Sequence, residues 1–221
     1  MKPILFNTQM VRAILDGKKT CTRRIIKGVP TSYDPLGYVL YPTDDKNLGN
    51  LVFGKKSFAK VHYARPPYKV GDVLYVRETW CKTKEDLAPD NNFDLGDCKY
   101  IFKVDDNGEN HPFIEGLVKR WRPSIHMPKE AARIFLRVTS IRDERLKDIT
   151  DEGCYKEGIS GTSFYDEVER IQVAGIGLNG YSLERAAFSL LWSSTVREEK
   201  YFWEYNPWVW VIEFERIEKG E

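Results

Sequence analysis

Lys19 and Thr22 stand three residues apart in the run Asp16-Gly17-Lys18-Lys19-Thr20-Cys21-Thr22-Arg23-Arg24. An amine and a hydroxyl can act together as a base and a nucleophile. A threonine hydroxyl is a weak nucleophile until a neighbour takes its proton. A lysine does this only when neutral. Its ordinary pKa is about 10.4, so burial or nearby cations must lower it. Arg23 and Arg24 supply such cations, and a carboxylate from elsewhere can orient the pair and relay protons. No acidic residue interrupts the chain from Lys18 to Lys27. The same stretch therefore also fits an anionic or nucleotide-like ligand, or a solvated basic turn with no function.

The elements that position these residues are legible on either side. Ile4 to Phe6 reads as a short strand. Asn7 or Thr8 caps a helix whose apolar face is Met10, Val11, Ile14 and Leu15. Gly17 suits the left-handed residue past the helix end, and Lys18 and Lys19 sit where the helix dipole favours cations. Thr20 to Ile26 is β-prone, with Thr20, Thr22 and Arg24 alternating onto one face. Alternation sends residues 19 and 22 to opposite faces, so they converge only if Lys19 belongs to the turn.

Further along, 28–67 and 81–120 are rich in Gly, Pro, Asp and Asn and read as two insertions. A hairpin is expected around Tyr38–Tyr41 and Leu51–Phe53, and a short strand at Lys99–Val104. Val73 to Trp80 is a largely buried strand, with Glu78 near its end. A carboxylate there needs a partner or water. Trp121-Arg122-Pro123-Ser124-Ile125-His126-Met127-Pro128 is an extended segment held rigid by its prolines. A strand spans Ala132 to Ile141 and can continue to Leu146. Thr150 caps a helix running to about Glu157, where Gly158 ends it. Ser160 to Tyr181 reads as irregular and glycine-rich. Ser182 caps an amphipathic helix to Ser194, and Pro207 to Ile217 is a final buried strand.

Composition narrows the classes. Across 221 residues the net charge is +1, with 42% hydrophobic and 13% aromatic residues, so a folded globule is expected without a global pull toward nucleic acid or membrane. Four cysteines include no CxxC pair and there are only three histidines, which argues against structural zinc and a disulfide framework. No apolar run has membrane-spanning or signal-peptide character, and a reduced cytoplasm is the expected location. Gly175-Ile176-Gly177-Leu178-Asn179-Gly180 matches G-x-G-x-x-G but lacks the preceding strand of a dinucleotide site, and a loop is expected. Trp80 and Trp121 flank site segments and can stack on a base. His126, without a companion ligand, reads as a hydrogen-bonded residue of its segment; His62 and His111 carry no signal.

Ile14 to Arg24, then Tyr68-Lys69-Val70-Gly71-Asp72-Val73-Leu74-Tyr75-Val76, then Val209-Trp210-Val211-Ile212-Glu213-Phe214, resemble the ASCH domain family. With the Trp121–Pro128 segment, the chain is similar to the larger ASCH-like proteins of phages and prophages. The resemblance implies an α+β, PUA-like mixed β-barrel as one domain over 1–221, with insertions at about 28–67 and 81–120. Some small members are N4-acetylcytidine amidohydrolases using a Lys, a Thr and a Glu. Residue by residue, these fall on Lys19, Thr22 and Glu157; Glu152 competes with Glu157 in the helix after Leu146-Lys147-Asp148-Ile149-Thr150. The implied roles are attack by Thr22, proton removal by Lys19, and positioning or protonation by Glu157. Arg24 would bind the nucleoside or an adjoining phosphate. Substrate-binding positions are expected at Thr20, Arg23, Arg24, Glu78, Trp80, Trp121, Arg122, Ser124 and His126. Expected partners are a nucleoside, nucleotide or RNA, with no cofactor, metal or membrane. The alternative is a non-catalytic RNA- or nucleotide-binding module of the same fold.

Overall fold

β1 (Lys2–Leu5) runs parallel to β6 (Val73–Arg77), pairing Lys2 with Leu74 and Ile4 with Val76. The computed structural model that shows this describes residues 1–41, 45–55, 60–83, 87, 98–106, 118–175, 177, 178 and 180–219. The chain divides into two units. The first comprises Met1–Gly17, Asp72–Arg137 and Glu215–Glu221, and the second Lys18–Gly71 and Val138–Phe214.

In the first unit the strand order is β1-β6-β9, where β9 is Phe135–Arg145 and lies antiparallel to β6 with Leu74 opposite Leu136. Leu74, Val76, Ile134 and Leu136 on one face are fully buried, and Tyr75 and Phe135 on the other are buried too, the pattern of strands covered on both faces. α1 (Thr8–Leu15) follows β1. Asn7 is its cap, its side chain accepting from the Met10 N–H at 2.8 Å, and Val11, Ala13 and Ile14 are its buried stripe. Gly17 has φ +71°, with open space where a Cβ would sit, so only its backbone conformation selects glycine there. β7 (Trp80–Lys82) pairs with β8 (Tyr100–Phe102), which realises the strand expected near Lys99–Val104. Most of the stretch read as a second insertion, His111 included, lies outside the described residues.

In the second unit the order is β9-β10-β2, with β2 at Cys21–Ile25 and β10 at Trp208–Ile217. β2 and β10 are antiparallel, Thr22 opposite Ile212 and Arg24 opposite Trp210. A separate antiparallel sheet, β3 (Asp34–Tyr38), β4 (Leu51–Gly54) and β5 (Val61–Ala64), occupies the stretch read as the first insertion; the expected hairpin forms with β4 in place, but its first strand lies ahead of Tyr38–Tyr41 and shares only Tyr38 with it. α2 (Asp151–Lys156) is capped by Thr150, whose hydroxyl accepts from the Gly153 N–H at 3.0 Å. α3 (Ser163–Val173) and α4 (Leu183–Thr195) pack on each other, and α4 packs on α2.

α3 corrects the reading of Ser160–Tyr181 as irregular. It is capped by Thr162, and Phe164, Val168 and Ile171 at helical spacing form its apolar side, of which only Val168 is buried. The helix also occupies the position where a dinucleotide fingerprint needs a strand, which excludes that motif's structural context. The fold is thus mixed α+β with four described α-helices, and no sheet closes into a barrel among the described residues.

Candidate active site

Lys19 and Glu157, 138 positions apart in the chain, meet in the second unit. The Lys19 Nζ donates to Glu157 Oε2 at 2.7 Å and to the Glu157 carbonyl at 2.8 Å. Backbone pairing brings them together: Lys19 and Glu157 form an antiparallel bridge, and the Thr20 N–H donates to the Lys156 carbonyl at 2.9 Å. Glu157 is the C-cap of α2, and Gly158 past it has φ +80°, the helix stop expected from the sequence. Glu152, the competing carboxylate, is exposed on the first turn of α2 and pairs with Lys156 at 2.7 Å, which holds its carboxyl below the usual range.

Arg23 completes the cluster from β2. It donates from Nη1 to Glu157 Oε1 at 3.2 Å and from Nη2 to Glu144 Oε1 at 2.8 Å. Its head passes beneath α2 at Gly153, where an added Cβ would stand 3.3 Å from Nη2. Lys19, Arg23 and Glu157 are each at most 5% exposed. Two cations and the Glu157 carboxylate are therefore removed from water together, with the half-buried Glu144 beside them, and their mutual charge is what makes this burial tolerable. Burial pulls the Arg23 guanidinium down, but the charges of Glu157 and Glu144 hold it above its ordinary value. Glu144 carries no signal of its own in the sequence; it stands in the charged run Arg142-Asp143-Glu144-Arg145, which does not name its partner.

Thr22 is 2% exposed and lies in the middle of β2. Successive strand residues point to opposite faces. Since Arg23 reaches Glu157, Thr22 and Arg24 face the other side of β2. Among the described residues no hydrogen bond joins the Thr22 hydroxyl to Lys19 or Glu157. Thr20 is exposed, its carbonyl accepting from the Phe214 N–H at 2.9 Å. The structure thus brings Lys19, Arg23 and Glu157 together and leaves Thr22 to the opposite face.

The remaining predicted positions belong to the first unit. Glu78, 1% exposed, is held by Arg133 through two 3.0 Å bonds. Trp80 is 4% exposed, with Tyr100 edge-on at 5.6 Å and the Arg122 guanidinium 5.2 Å from its ring, so its faces are already covered by the protein. Trp121 is half-buried with Lys103 Nζ 5.1 Å from its ring. Ser124 and His126 bound a single 3-10 turn, whose His126 N–H donates to the Pro123 carbonyl at 3.0 Å.

Cys21 and Cys154 flank the cluster. Burial, with Glu157 adding to it for Cys21, pushes both thiols up to about 12. Cys81 is also buried, and Cys98 is exposed. A thiol reagent at mildly alkaline pH is expected to label Cys98 rapidly and to label all four cysteines only after denaturation. Rapid native labelling of Cys21 or Cys154 would show that the cluster is open to solvent. No protein-family profile, curated protein or solved structure matches the chain.

Proposed function

We propose that this chain is a nucleotide-directed protein of the ASCH type, on a PUA-like plan, acting as an amidohydrolase on N4-acetylcytidine or a related modified nucleoside. The observation that carries the reading is the buried Lys19–Glu157 pair, formed between the two positions that the family motif implies. Glu157 Oε2 stands 2.7 Å from Nζ and orients the Lys19 amine, which acts as base in its neutral form. Lys19 then removes the Thr22 proton as Oγ1 bonds to the acetyl carbon. The intermediate collapses with cleavage of the C–N4 bond, and Lys19 returns the proton to the departing amine. Water hydrolyses the threonyl ester, releasing acetate and restoring the hydroxyl.

This path needs Thr22 within about 3 Å of Nζ in the substrate complex. The position of Thr22 on the face of β2 opposite Arg23 favours a second reading, a non-catalytic nucleotide- or RNA-binding module in which Lys19, Glu157, Arg23 and Glu144 form a structural clamp.

Deacetylation assays separate the two. Wild-type protein is expected to release acetate from N4-acetylcytidine, Thr22→Ala to fall to background, and Lys19→Ala to lose a factor of about 10² to 10⁴. Absence of turnover by folded wild-type protein removes the hydrolase reading. The binding module instead predicts salt-dependent RNA affinity that weakens on Arg24→Gln.

A further inference from the structure

On the face of β2 opposite Glu157, the second unit has a cavity of about 260 Å³. Three basic residues, Arg24 on β2, Lys27 just beyond it and Arg65 just beyond β5, line it together with Tyr63 and Trp210. Trp210 is 3% exposed and is the cross-strand partner of Arg24, so this strand pair forms the cavity's base. Among the described residues no carboxylate lines it. Lys27 and Arg65 are exposed, and neither is paired with a carboxylate among the described residues.

We propose that this cavity is a phosphate-monoester subsite, so that the ligand of this protein is a nucleotide rather than a free nucleoside. The inference rests on the nucleotide-directed reading above and narrows its substrate class. Three basic residues match a dianionic monoester better than the single charge of a phosphodiester, and arginine's fork suits a phosphate's oxygens. The volume falls below the roughly 300–1,000 Å³ of sites that enclose a whole drug-sized ligand. It suits a phosphate and its sugar, with the base outside. Thr22 lies two residues before Arg24 on the same face, about 6–7 Å along the strand and buried, so it stands beside the cavity without lining it. Burial also presses the Arg24 guanidinium below its ordinary value, against the pull of Glu157 and Tyr68. An anion in the cavity would relieve that.

Tyr63 and Arg65 belong to the stretch read as an insertion, which gives that stretch a role: it supplies one wall of the subsite. The cavity carries no partner for the Lys19 chemistry and uses none of its residues.

Isothermal titration of the full chain with cytidine, cytidine 5′-monophosphate, inorganic phosphate and a short single-stranded RNA without terminal phosphates tests this. The monophosphate is expected to bind at least about tenfold more tightly than cytidine, the increment of one charge-assisted contact. Phosphate is expected to compete with it. Lys27→Gln/Arg65→Gln, at exposed positions where an unchanged unfolding midpoint verifies the fold, should remove most of the preference. Equal binding of cytidine and the monophosphate, no binding of the monophosphate, or a preference that survives the double variant would each overturn the subsite. RNA binding as tightly as the mononucleotide would overturn the monoester assignment. The readout is binding, so its failure is separable from that of the hydrolase. Deacetylation without phosphate preference removes the subsite alone, and phosphate preference without deacetylation supports the subsite while removing the hydrolase.

Discussion

Lys19→Met is expected to destabilise the protein by about 3–5 kcal/mol, the usual cost of leaving one member of a buried ion pair behind. Methionine keeps most of the lysine's length, so the loss is one of charge and hydrogen bonds more than of packing. In the variant, Glu157 keeps its 3.2 Å contact with Arg23, but Arg23 is also bonded to Glu144. One guanidinium must then serve two carboxylates, one of them 4% exposed at its side chain. Lys19→Met/Glu157→Leu is expected to recover much of the loss, because no uncompensated charge stays buried. Denaturant unfolding of the two single variants and the double variant gives the coupling. Additive losses across the pair would mean that the 2.7 Å contact contributes no net interaction.

Arg133→Met is expected to be the next most damaging change, and its cost depends on pH. Glu78 has a side chain 2% exposed, and its two oxygens are held by Arg133. Arg133 also bonds Asp105 at 2.8 Å and lies 4.0 Å over the Phe102 ring. Burial pushes the Glu78 carboxyl above its ordinary value even though Arg133 draws it down, and Asp105 adds to the rise. A carboxyl raised in the folded state binds its proton more tightly there than in the unfolded chain. Its contribution to stability is therefore greatest below the unfolded value, about 4.3, and is lost as pH rises through the folded pKa. Without Arg133 the folded pKa moves further up. Near neutral pH the deficit should fall toward the lower end of about 3–5 kcal/mol, since Arg133 is a third exposed and screened by water. It should shrink as pH falls and Glu78 protonates. Wild-type minus variant stability across the acid range reads this directly. A deficit that does not change with pH would show that the Glu78 charge is not what the arginine compensates, and Glu78→Gln should abolish the dependence.

Several elements could be read without the fold because their signals are local. Asn7, Thr150 and Ser182 cap helices, and Gly17 and Gly158 end them, since a cap bonds to backbone within three residues. The buried strands Val73–Arg77 and Trp208–Ile217 showed in their apolar runs. α3 does carry a helical spacing, Phe164, Val168 and Ile171, but Gly158, Gly161, Gly175 and Gly177 on either side obscure it. That a glutamate of this helix stands beside Lys19 could be posed in sequence, but only the bridge shows that the one paired with Lys19 is Glu157 rather than Glu152.

Alone, the sequence determined that a basic helix-to-strand junction holds a lysine, a threonine and two arginines, and that β alternation divides them between two faces. Both follow from backbone geometry within a few residues. The tertiary structure decided which groups share those faces: Glu157 and Glu144 with Lys19 and Arg23 on one, and Trp210, Tyr63 and Arg65 with Arg24 on the other. The physical reason is that a buried charge selects its partner through space. Strand register and helix ends set that distance, and positions in the chain do not.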